Sequence, residues 1–105
     1  MTAITSNHDR LVAKGRESLA ELKDILSNKI TILGELKQGR GGEEHARLSA
    51  KIRGIEAGLR IAESPEAESA FSAYWVMVKL RATTPDNERA GLEIAIQDAM
   101  LISRL

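Results

Sequence analysis

Apolar residues along the chain recur every three to four positions, and each such run stops at a glycine cluster or a proline. A helix turns 100° per residue, so this spacing gathers the apolar side chains on one face. The pattern predicts four helices and no strand. In the first, from about Asn7 to Lys37, ten residues fall in one arc of about 160°. They are Leu11, Val12, Leu19, Leu22, Ile25, Leu26, Ile30, Ile32, Leu33 and Leu36, with Arg10, Glu17, Glu21, Asp24, Asn28 and Glu35 opposite. Ser6 to Asp9 offer capping side chains at its start. Unbroken, this helix would be about 45 Å long; Gly15 and Gly34 are potential weak points within it.

Gln38-Gly39-Arg40-Gly41-Gly42 reads as a turn. A phosphate loop would need Gly-Lys-Ser/Thr to follow, whereas Glu43 and Glu44 stand there and would repel phosphate. The second helix, about Glu43 to Glu63, carries Leu48, Ile52, Ile55, Leu59 and Ala62 at alternating spacings of four and three, a heptad seam. A short turn between two striped helices predicts an antiparallel hairpin. The second helix is long enough to cover roughly residues 18–37 of the first. Residues 7–17 would overhang and need the later helices, another copy or a partner to pack against.

Ser64-Pro65 has the form of a cap and first-turn proline, so the third helix is expected over 65–82. It is apolar almost all round, with only Glu68, Ser72 and Lys79 as a polar strip, which predicts a central position. Thr83-Thr84-Pro85-Asp86 repeats the start signal for a fourth helix over 85–104. Leu92, Ala95, Ile96, Ala99 and Ile102 form its main face, while Ile94, Leu101 and Leu105 lie on the back. The fold expected is all-α: a helical bundle built from a long antiparallel hairpin plus two shorter C-terminal helices, one domain over residues 1–105.

Composition narrows the chemistry. Fifteen basic residues balance fifteen acidic ones, and the segments 7–38, 39–63, 64–83 and 84–105 carry net charges of +1, +1, 0 and −2. A dedicated nucleic-acid binder needs a concentrated basic footprint. Nucleic acid is therefore only the alternative partner, through Arg40, Arg47, Lys51, Arg53 and Arg60 of the second helix and its preceding turn. The absence of cysteine excludes disulfides and zinc–thiolate sites. The longest nearly apolar run, Ala70 to Val78, falls far short of the ~20 residues that span a bilayer. No signal-peptide pattern opens the chain, so a cytoplasmic protein is expected.

No catalytic, cofactor-binding or metal-binding residue emerges. His8 and His45 lack a second histidine at helical spacing, and the hairpin would hold them tens of ångströms apart. Glu17, Glu21 and Asp24 share a solvated face rather than the shaped loop that calcium requires. No serine or threonine sits in a nucleophile elbow. No motif is long or specific enough to place the chain in a family.

The candidate residues are therefore those of a protein interface. Leu11 lies on the overhang. Lys29 falls inside the apolar arc, where it must reach water, pair with Glu56 across the hairpin, or control register. Trp75 borders the polar strip of the third helix and is either core or an exposed anchor. Ile94, Leu101 and Leu105 are either sandwiched within the fold or held for a partner. The expected function is non-enzymatic protein–protein contact. The class is a small assembly, adaptor or inhibitor protein, of the kind phages and mobile elements encode, self-associating as a dimer or larger and without cofactors.

Overall fold

A computed structural model describes the backbone over residues 2–105 and side chains from Asn7 onward. The chain is all-α, with helices α1 (Thr2–Gln38), α2 (Gly42–Glu63), α3 (Ala70–Arg81) and α4 (Asp86–Ser103). No strand occurs among the described residues. The bundle measures 63 × 27 × 21 Å. Its long axis reflects α1, whose 37 residues run unbroken through both Gly15 and Gly34. Ser6 to Asp9 lie inside this helix, so the expected start near Asn7 is corrected to Thr2. The first helix is thus about 55 Å long.

The glycine turn forms as expected. Gly42 adopts φ +58°, in the left-handed region that glycine enters without steric cost, and opens α2. Arg40 closes the turn by donating its backbone N–H to the Lys37 carbonyl, while its guanidinium pairs with Glu44 at 2.7 Å. The hairpin of α1 and α2 buries Leu19, Leu22, Leu26 and Ile55 at its centre. The two ends of the α1 stripe remain outside this core: Leu11, Val12, Ile32 and Leu36 are all exposed.

The centre of the bundle is not α3 but the pair α2 and α4, which share the most extensive helix–helix interface. Small residues explain why. Ala50, Gly54 and Gly58 repeat every four residues along α2, and Gly91, Ala95 and Ala99 do the same along α4; all six are buried. A Cβ on Gly54 would lie 2.8 Å from the Gly91 Cα, and one on Gly58 would lie 2.5 Å from the Ala95 Cβ. With no side chain between them, two helix backbones approach far more closely than leucines would allow. The heptad seam of α2 and this small-residue row occupy neighbouring faces, so α2 is clasped between α1 and α4.

Helix α3 is shorter and more peripheral than its apolar circumference predicts. Its buried residues are only Ala70, Ala73 and Met77. Ser64 ends α2 in an extended conformation, as a residue preceding proline prefers. Ser64-Pro65 therefore closes one helix and makes a turn rather than opening the next. The true start is Ser69, whose hydroxyl accepts from the Ser72 N–H while the Ser72 hydroxyl accepts from the Ser69 N–H. This reciprocal box satisfies two of the unpaired donors at the helix start. Ser18 of α1 supplies a third partner, its Oγ accepting from the Ala70 N–H at 3.0 Å.

Helix α4 begins within one residue of the expected position, with a different cap. Pro85 is its N-cap residue, and its carbonyl accepts from the N–H groups of Glu88 and Arg89. The buried Thr84 turns backward instead, donating its hydroxyl to the Leu80 carbonyl at 2.8 Å. It closes α3 rather than capping α4.

Candidate functional site

At one end of the bundle the overhang of α1, the start of α3 and the last turn of α4 converge. Gly15 allows this convergence. A Cβ there would lie 2.7 Å from the Glu68 carbonyl oxygen, so only glycine admits the loop so close to α1. The Ser18 bond to Ala70 fastens the same contact. Between the three elements runs a groove of about 370 Å³. Leu11, Phe71, Ile102 and Leu105 supply its apolar surface, and Lys14, Glu17 and Glu21 its charged rim.

Three of the apolar residues face water over most of their area: Leu11 is 70% exposed, Phe71 57% and Leu105 78%. Phe71 extends the surface to Trp75, 49% exposed, through an edge-to-face contact with ring centroids 6.1 Å apart. Tyr74 packs edge-on against Trp75 from the other side at 5.2 Å. All three aromatic residues of the chain thus lie together on α3. Val76 and Leu101 are also exposed. A run of large apolar side chains in solvent, flanked by charges, has the composition of an interface centre and rim.

The sequence candidates are distributed unevenly around this surface. Leu11 and Leu105 line the groove itself, and Trp75 adjoins it through Phe71. Ile94 does not join them. It is half-buried against the core and lines a shallow recess with Ile32, Leu33 and Ile55. The back face of α4 is therefore divided: α1 covers its first half and leaves Leu101 and Leu105 free. Lys29 borders the same recess as Ile94, away from the end groove. Its ammonium pairs with Asp98 of α4 at 2.6 Å, not with Glu56 across the hairpin. The pair ties α1 to α4 from a half-exposed position.

The near-complete apolar circumference of α3 points Phe71 to a core and leaves only Trp75 as a candidate for exposure. The signal lies in the spacing of two alanines and a methionine. Ala70, Ala73 and Met77 recur at helical spacing and define the buried face, which leaves Phe71 and Trp75 outside and Tyr74 half-buried at its edge.

No cluster of three or more histidine, aspartate and glutamate side chains is gathered for a metal ion among the described residues. No helix there is long and apolar enough to cross a membrane. Of the five basic residues at and following the glycine turn, Arg40 and Arg53 are engaged with Glu44 and Glu88. No family model, curated protein or solved structure matches the chain.

Proposed function

We propose that this protein is a non-catalytic interaction module, a small cytoplasmic assembly, adaptor or inhibitor protein that self-associates and acts by occupying a partner surface. One observation carries the reading: the apolar end surface of Leu11, Leu105, Phe71 and Trp75, exposed where α1, α3 and the end of α4 converge. Burying apolar surface stabilises an association by about 25 cal/mol per Å², before the cost of lost freedom. Large side chains left in water at one end of an otherwise packed bundle are therefore a ready source of binding energy. Nucleic-acid binding is less well supported, because two of its five basic residues already hold carboxylates.

The test is molar mass by light scattering over about a hundredfold range of concentration, for the parent and for the double variant Leu11→Lys/Leu105→Lys. Both positions are exposed, so circular dichroism should show unchanged helicity. Loss of assembly in the variant supports the reading. Identical masses for parent and variant at every concentration would overturn it for this surface.

A further inference from the structure

The identity of the partner can be taken further, on the premise that the end surface is a protein contact. We infer that its occupant is a second copy of this chain, with the two α1 helices antiparallel about a twofold axis near Gly15 and Arg16.

Charge placement along α1 is the first argument. Arg10, Lys14, Glu17 and Glu21 fall within about 60° of one another on the helical wheel. Lys14, Glu17 and Glu21 line the groove directly. The strip is segregated rather than mixed. Arg10 and Lys14 are like charges at i,i+4, and so are Glu17 and Glu21, so within a lone helix two unfavourable spacings stand against one favourable one, Lys14–Glu17 at i,i+3. None of the ion pairs found among the described residues uses any of the four. An antiparallel copy resolves the segregation. In a register centred between Gly15 and Arg16, Arg10 stands opposite the partner's Glu21 and Lys14 opposite the partner's Glu17. The twofold axis repeats both pairs, giving four complementary contacts, with the Lys14–Glu17 pairs beside the axis and Leu11 further out. A pattern that complements itself on reversal is what an isologous interface requires.

Area is the second argument. The chain exposes 6929 Å². A compact monomer of 11.5 kDa exposes about 5,800 Å². The excess, roughly 1,100 Å², follows from the length of α1 and is large enough to supply the ~800 Å² per partner of a stable interface. The radius of gyration records the same elongation, at 15.8 Å against ~12.9 Å for a compact domain of this length.

The experiment reverses charge on one block at a time. Arg10→Glu/Lys14→Glu makes the whole strip acidic, and Glu17→Lys/Glu21→Lys makes it basic. Molar mass is read for each variant alone and for an equimolar mixture, with circular dichroism confirming helicity. Each variant alone should dissociate at least about tenfold more readily than the parent at low salt. The mixture should recover the parental assembly, because each acidic strip then faces a basic one. Recovery on mixing also excludes misfolding as the cause of the loss. A parent that stays monomeric throughout overturns the inference, as does a mixture that stays dissociated. If both reversals keep the parental mass while Leu11→Lys/Leu105→Lys loses it, the end surface remains a contact and the antiparallel register is wrong.

Discussion

Gly54 of α2 and Gly91 of α4 meet backbone to backbone, and neither position has room for a methyl group. A Cβ on Gly54 would lie 2.6 Å from the Leu92 backbone nitrogen, and one on Gly91 would overlap the Lys51 carbonyl oxygen. The nearest obstacles are main-chain atoms, which cannot rotate away as a flexible side chain can. Gly91→Ala should therefore destabilise the protein by about 3 kcal/mol or more, at the upper end of overpacking costs. Gly34→Ala provides the contrast, since nothing lies within 4 Å of a Cβ there. Placed inside a long helix, that substitution should stabilise by up to about 1 kcal/mol. Urea unfolding of both variants checks the pair of signs; equal effects would contradict the close approach.

The Lys29–Asp98 pair is asymmetric. The Lys29 side chain is 39% exposed and that of Asp98 only 13%. Removing the carboxylate leaves an ammonium that can reach water, whereas removing the ammonium strands a carboxylate in a poorly hydrated position. Lys29→Met should accordingly cost more than Asp98→Asn, about 1–2 kcal/mol once the solvent reaching Lys29 is allowed for. A double-mutant cycle in urea measures both. The reverse order would mean that Asp98 is better hydrated than its surroundings indicate.

Helix α3 is started by two serines of its own and one borrowed from α1. Ser69→Ala removes the cap and should cost about 1 kcal/mol. Ser18→Ala deletes the partner of the Ala70 N–H and should speed hydrogen exchange at that amide without unwinding α1. Amide exchange followed by NMR separates the two. Unchanged protection at Ala70 in Ser18→Ala would show that the interhelical bond contributes nothing.

Phe71 and Leu105 are mostly in water, so their truncation should scarcely affect folding. Phe71→Ala and Leu105→Ala should each alter stability by no more than about 0.5 kcal/mol, the usual range for surface positions. Both should nonetheless weaken assembly. Trp75 reports this directly, being the one tryptophan in the chain and in edge contact with Phe71. Its emission should shift to the blue as the parent is concentrated. Concentration-independent emission would place Trp75 outside the contact.

Periodicity and punctuation were enough to read the four helices and the glycine turn, because one residue's neighbours three and four positions away decide which face is apolar. The start of α3 and the cap of α4 depart from expectation for a shared reason. A serine or threonine before proline resembles a cap, yet Ser64 terminates α2 and Thr84 bonds back to Leu80. Which side the hydroxyl serves depends on the preceding helix, and that is not local information. The misjudged centre has a different origin. Counting large apolar side chains made α3 look central, whereas α2 and α4 are drawn together by what Gly54, Gly58 and Gly91 lack. The partner of Lys29 was out of reach for a related reason: Asp98 lies 69 residues away and meets it only once α4 has docked. Of the end surface, Leu11 and Leu105 are legible as unpaired apolar positions, and Trp75 only as one of two alternatives. Phe71 is not, because its exposure follows from the peripheral place of α3.

The glycine row of α2 also bears on how the chain is made. A ribosome delivers α1 and α2 well before residues 86–103, and the hairpin has only local contacts to form while it waits. During that interval the side of α2 reserved for α4 is lined by Ala50, Gly54 and Gly58. That side of the half-made protein therefore shows mostly helix backbone, whose hydrogen bonds are already satisfied, with little greasy surface for chaperones or neighbouring chains to seize. An interface built from small residues is inconspicuous until its counterpart arrives.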